Sequence, residues 1–140
     1  MKVAIVGTSH ILTENEERDI QQTLGYILND LEKVTDDIEI ISGGAKGVDT
    51  MAIELAHSHK LNTCIIHPNS NDWMGYKQRN LKIAEMCDIL YCITTPRRKH
   101  EKMCYHHIPP QDHTKTGGCW TMKEALKLEK NCKLMVTPKR

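Results

Sequence analysis

Short apolar runs and helix-spaced apolar stripes take turns along this chain. Val3 to Val6 form the first run, inside a strand expected from Lys2 to Val6 and closed by Gly7. Thr13 to Glu16 has the Thr-x-x-Glu form of a capping box, which opens a helix. Ile20, Leu24, Ile27, Leu28 and Leu31 then fall on one helical face. Ile38 to Ile41 reads as the next strand, followed by Ser42-Gly43-Gly44. Val48, Met51, Ala52, Leu55 and Ala56 mark a second amphipathic helix. A third strand over Asn62 to His67 stops at Pro68, and residues 69–76 read as a loop. A helix from about Tyr76 to Met86 leads to a strand over Asp88 to Ile93. Residues 94–116 show no periodicity and contain three prolines. Trp120 to Glu129 reads as the last helix and Lys133 to Val136 as the last strand.

Strands that alternate with helices and are apolar on both sides imply a mainly parallel sheet covered on both faces. The expected fold is therefore α/β, a Rossmann-like three-layer sandwich with a five-stranded sheet. No repeat or linker divides the chain, so residues 1–140 read as one domain with an irregular loop at about 94–116.

Composition narrows the function. Charged residues make up 26% of the chain and the net charge is +1, so no broad basic field for nucleic acid exists. Aromatics are 4% with no Phe, which leaves little for a stacking platform. No apolar run approaches membrane-spanning length. The apolar amino terminus is too short for a signal peptide, and the expected location is cytoplasmic. The six cysteines are accordingly read as reduced or metal-bound.

In an open parallel sheet, ligands bind beyond the carboxyl ends of the strands. Three turns fall there: Gly7-Thr8-Ser9, Ser42-Gly43-Gly44-Ala45-Lys46-Gly47 and Thr116-Gly117-Gly118-Cys119-Trp120-Thr121. Glycine lets backbone approach a ligand, and a helix start offers unpaired N–H groups to an anion. Lys46 adds a point charge; Ser42 and Thr121 add hydroxyls. None of these turns is a Walker A or Gly-x-Gly-x-x-Gly pattern, which sets aside a conventional NTPase or dinucleotide dehydrogenase. The expected ligand is a nucleotide or nucleotide-derived phosphate, with no cofactor required.

Val3-Ala4-Ile5-Val6-Gly7-Thr8-Ser9, Ser42-Gly43-Gly44-Ala45-Lys46-Gly47-Val48-Asp49, Arg79-Asn80 and Cys87-Asp88 together resemble the SLOG superfamily over nearly the whole chain. That group includes the core of DNA-processing protein A, the LOG phosphoribohydrolases and the YspA/YpsA-related proteins. The Ser-Gly-Gly-Ala-Lys-Gly-Val-Asp stretch resembles the DNA-processing and YspA-like branches most. Thr116-Gly117-Gly118-Cys119-Trp120-Thr121-Met122-Lys123-Glu124 is similar to the LOG pattern Pro-Gly-Gly-x-Gly-Thr-x-x-Glu, with Thr116 for the proline and Trp120 for a glycine. The LOG resemblance implies cleavage of the N-glycosidic bond of nucleoside 5′-monophosphates, with Arg79 and Glu124 as catalytic residues. A carboxylate such as Glu124 suits an oxocarbenium-like state, and Arg79 a phosphate. Asp49 suits a ribose hydroxyl or a helix cap. The DNA-processing resemblance implies a single-stranded DNA ligand, against which the neutral charge weighs.

The loop holds a concentration of Cys and His. Cys104, His106 or His107, His113 and Cys119 are candidate ligands for a structural zinc, although their spacing fits no standard finger. The basic stretch Arg97-Arg98-Lys99 reads as a solvated charge run or an anion contact. Finally, a homodimer is expected. SLOG relatives commonly pair, and Met51, Ile53, Leu81, Ala84 and Met86 do not lie on one narrow stripe, which leaves apolar surface to bury against a second copy.

Overall fold

Strand and helix alternate through a computed structural model that describes residues 1–139, so Arg140 of the expected domain lies outside the described residues. The order is β1 (Lys2–Gly7), α1 (Glu14–Glu32), β2 (Glu39–Ser42), α2 (Val48–Ser58), β3 (Asn62–Ile65), α3 (Trp73–Met86), β4 (Ile89–Thr94), α4 (Gly117–Lys127) and β5 (Asn131–Val136). All the pairings are parallel, in the order β3-β2-β1-β4-β5. Strand order therefore reverses at β1, and the crevice beyond the carboxyl ends of β1 and β4 is the switch point of the sheet.

Alternation of side chains along each strand builds the two outer layers. Val3 and Ile5 of β1, with Ile89, Tyr91 and Ile93 of β4, pack under α1 and α2. Ala4 and Val6, with Leu90 and Cys92, pack under α3 and α4. Ile20, Leu24, Ile27, Leu28 and Leu31 of α1 are all buried, as their spacing predicts. Each such side chain contributes roughly 1.5–3 kcal/mol of burial, and truncating Leu24 to Ala should cost about 2–5 kcal/mol.

The capping box at α1 differs in one partner from the usual form. The Thr13 hydroxyl accepts from the Glu16 N–H at 3.1 Å, but the Glu16 carboxylate takes the Leu12 N–H at 2.8 Å, one residue earlier. Its other oxygen is held by Arg98 at 3.1 Å. Two helices begin earlier than expected. Asp72 caps α3 by accepting from the Gly75 N–H at 2.9 Å, so Trp73 to Tyr76 are helix and not loop. Thr116 caps α4, so Gly117 and Gly118 form the first turn of the helix itself.

Residues 95–116 are irregular but tied. The Thr94 hydroxyl donates to the Thr114 carbonyl at 2.6 Å, and Cys104 and Gln111 pair through their backbones at 2.9 and 3.1 Å. Arg97 pairs with Asp112 at 2.7 Å and Arg98 with Glu16, so two of the three basic residues there are held by acids of the chain itself.

The apolar positions behind the dimer expectation are covered within one chain. Ile53 and Ala84 are buried, Met51 and Met86 pack against the two cores, and Leu81 is half-buried. Their irregular spacing reflects helices wedged between sheet and neighbouring helix. No helix of the described residues is long and apolar enough to cross a membrane.

Candidate functional site

Three strand ends open onto one cleft of about 420 Å³. Gly7 closes β1, Gly43 and Gly44 follow β2, and His67 and Pro68 follow β3. The start of α4 supplies Gly117 and Gly118 from its first turn and Thr121 just beyond it. The opposite wall is α3, with Trp73, Tyr76, Arg79 and Asn80. Gly44 and Gly118, far apart in sequence, thus line one cavity.

The glycines there serve different ends. A Cβ on Gly7 would sit 2.0 Å from the Ile93 carbonyl oxygen, and one on Gly118 would sit 2.7 Å from the Gly7 nitrogen. These two let β1, β4 and α4 approach each other. A Cβ on Gly117 would meet nothing within 4 Å. Its bare α-carbon leaves the start of α4 open to the cleft. The first amides of a helix have no intrahelical acceptor; the Thr116 hydroxyl takes the Cys119 N–H at 3.2 Å, and those of Gly117 and Gly118 suit an anion.

The turn after β2 is more self-contained. The Gly44 N–H donates to Ser42 Oγ at 3.2 Å, and the Ala45 N–H to an Asp49 carboxylate oxygen at 3.3 Å. Gly44 has φ +71°, which favours glycine. Ser42 is buried beneath the turn, its hydroxyl donating to the Asp49 carbonyl at 3.1 Å. Gly47 also takes positive φ, and a Cβ there would lie 2.3 Å from the Thr8 carbonyl oxygen, so its role is packing at the start of α2.

Arg79 is the cation of this cleft. Its Nη1 donates to the Gly43 carbonyl at 2.6 Å and its Nε to Asn80 Oδ1 at 2.7 Å. Its guanidinium lies 5.7 Å from the centre of the Tyr76 ring. Asp49 faces the same space and is buried. Burial raises its pKa to about 6, against the opposing pull of the Ala45 N–H and the Arg79 charge.

A second cavity of about 540 Å³ adjoins the first and shares Ser9, Trp73 and Gly117 with it. Thr8, Thr116, Lys115, Arg98 and His106 line it. Trp73 and Trp120 meet edge to face at the junction, ring centres 5.7 Å apart. Trp120 therefore stands beside the cleft as one of an aromatic pair.

Among the expected site residues, Lys46 is exposed and lines neither cavity. Glu124 also lines neither, and pairs with Lys127 at 3.3 Å. Asp49 is a carboxylate that lines the cleft together with Arg79. His67, Trp73 and Tyr76 were missed. The two aromatics could have been found from Asp72, a capping residue three positions before Gly75 that puts them on a helix already carrying Arg79.

The Cys/His segment also draws together. One ligand atom each of Cys104, His107, His113 and Cys119 lies within 4.8 Å of the others, and His106 is not among them. Cys92 of β4 lies behind, its sulfur 4.0 Å from that of Cys119. The hydrogen bond between these sulfurs pulls the Cys119 thiol down, and the same bond together with burial pushes Cys92 well up. Burial also raises Cys104, to about 11.

Comparison with known proteins agrees with the architecture. The family model for DNA recombination-mediator protein A matches residues 1–113. Among solved structures, DNA processing protein A (DprA) from Streptococcus pneumoniae is similar, with a TM-score of 0.65 and 16% identity. That match covers 99% of this chain and 50% of the other, so this chain spans about half that relative's length. At this identity the likeness is one of fold. No curated protein matches the chain.

Proposed function

The chain belongs to the DNA recombination-mediator protein A family, and from that premise we propose that its cleft binds a nucleotide or nucleotide-derived phosphate ligand. The observation that carries this reading is the convergence of the first turn of α4, the Gly43-Gly44 turn and the tethered Arg79 on one cavity. The phosphate sits at the amides of Gly117 and Gly118, where the helix start and Arg79 both favour negative charge. The base lies toward Trp73 and Tyr76. Asp49 offers a carboxyl to a sugar hydroxyl. The volume of about 420 Å³ lies within the range of small-molecule sites.

A second reading is a short stretch of single-stranded DNA. The shared wall of the two cavities favours it, because a strand longer than one nucleotide can run past Trp73 and Trp120 toward Lys115 and Arg98. Base–aromatic stacking needs no sequence preference.

Quenching of Trp73 and Trp120 fluorescence tests both readings. Titration with nucleoside 5′-monophosphates should saturate, and an Arg79→Ala variant should lose most of the affinity. If only oligonucleotides bind, with affinity falling steeply as salt rises, the DNA reading replaces the first. Absence of binding by either class removes both.

A further inference from the structure

We propose that Cys104, His107, His113 and Cys119 form a tetrahedral zinc site that pins the segment between β4 and α4 onto the first turn of α4. Nothing in the proposed ligand cleft depends on this site, and it goes beyond that reading.

The geometry fits a four-coordinate ion. Zinc–sulfur bonds of about 2.3 Å and zinc–nitrogen bonds of about 2.0–2.1 Å set the edges of such a tetrahedron at roughly 3.3–3.8 Å. Cys119 Sγ and His113 Nε2 are already 3.5 Å apart. All four ligand atoms lie within 4.8 Å of one another, so a small inward shift completes the cage. The two imidazoles meet edge to face with ring centres 4.9 Å apart, an arrangement in which two nitrogens can approach one point from different directions.

An independent sign comes from His107. Its Nε2 is buried and has no hydrogen-bond partner. A buried imidazole nitrogen without a partner is unfavourable and calls for one. Cys104, Cys119 and His113 are buried as well, so the donor set is shielded from water.

Local structure explains how the four meet. The backbone pairing of Cys104 with Gln111 turns the segment back on itself and brings Cys104 beside His113. Thr116 caps α4 and fixes Cys119 in its first turn. The ligands then read Cys-x2-His-x5-His-x5-Cys, a spacing that closes only short loops. Two thiolates and two imidazoles with no carboxylate favour zinc over magnesium or calcium, which take oxygen ligands. Cys92, in contact with Cys119 from the sheet side, is placed to hydrogen-bond the ligand sulfur and steady it.

The test uses the full chain, purified without a metal-affinity tag. Elemental analysis should find zinc at one ion per chain. Replacing it with Co²⁺ should give the intense visible bands of a tetrahedral thiolate site. His107→Ala should weaken Co²⁺ binding by more than the ~10–100-fold that loss of an outer-shell partner costs, while His106→Ala leaves it unchanged. Cys92→Ser should keep the tetrahedral spectrum. Wild-type protein that is folded by circular dichroism yet carries no zinc and gives no tetrahedral Co²⁺ spectrum would overturn the proposal. So would a His107→Ala protein that holds Co²⁺ as wild type does. Because the wild-type spectrum is read first, a variant that fails to fold does not blur the result.

Discussion

The guanidinium of Arg79 donates to the carbonyl of Gly43 at 2.6 Å and so joins α3 to the turn after β2. The bond needs Gly43 to be glycine, because a Cβ there would lie 2.6 Å from Arg79 Nη1. Bond and bare α-carbon together fix where a positive charge stands in the cleft.

Arg79→Lys tests that placement. Lysine keeps the charge but cannot reach Gly43 and Asn80 with a planar fork. Binding of a nucleoside monophosphate should weaken by about 1.5–3 kcal/mol, roughly 10–100-fold in Kd. Calorimetric titration measures it, and an unchanged Kd would show that the charge alone, and not the fork held by Gly43 and Asn80, serves the ligand.

Gly117 and Gly118 should part company when each is changed to Ala. At Gly118 the new methyl meets the Gly7 backbone at 2.7 Å, which cannot swing aside, so the fold should lose about 1–3 kcal/mol. At Gly117 nothing lies within 4 Å, and alanine in a helix is favoured by roughly 0.5–1 kcal/mol. Gly117→Ala should therefore unfold no earlier than wild type in urea yet bind nucleotide more weakly. A loss of stability equal to that of Gly118→Ala would show that both glycines are packing residues.

Trp73 is 56% exposed, so its removal should spare the fold. If it stacks on a base, Trp73→Ala should cost about 1–3 kcal/mol of binding. The readout is displacement of a labelled nucleotide. Equal affinity in variant and wild type would place the base elsewhere.

How far the sequence reached follows from the kind of interaction involved. β1, β2 and β4 and the α1 stripe were legible because a strand buried on both faces reads as an apolar run and a helix buried on one face as a periodic stripe, as at Ile20, Leu24 and Leu28. The starts of α3 and α4 were misplaced because their caps, Asp72 and Thr116, precede glycine-containing first turns, where glycine reads as a loop signal. The glycine turns were found, but their separate duties were not. Whether a Cβ would strike Ile93, Gly7 or open space depends on which strands are neighbours, and β1 lies beside β4 only through a long-range pairing. The choice between His106 and His107 was open for the same reason. Adjacent residues in an irregular segment point apart, and only the Cys104–Gln111 pairing decides which one joins His113.

Asp49 gives a prediction in pH. Asp49 is 8% exposed and its carboxyl holds its proton up to about pH 6, whereas the unfolded chain releases it near 3.8. Between those values the native state binds more protons than the unfolded state, so stability must fall as pH rises. The loss begins near pH 4 and is complete somewhat above pH 6, and about two pKa units correspond to about 3 kcal/mol. Asp49→Asn keeps the shape and an oxygen to accept the Ala45 N–H, but it has nothing to ionise. Relative to wild type, the variant should gain stability steadily from pH 4 to pH 6.5 and hold that gain above it. Urea unfolding at half-unit pH steps gives the difference directly. If the two proteins keep a constant difference across this range, Asp49 is ionised throughout, and the Arg79 charge with the Ala45 N–H outweighs the burial of the carboxylate.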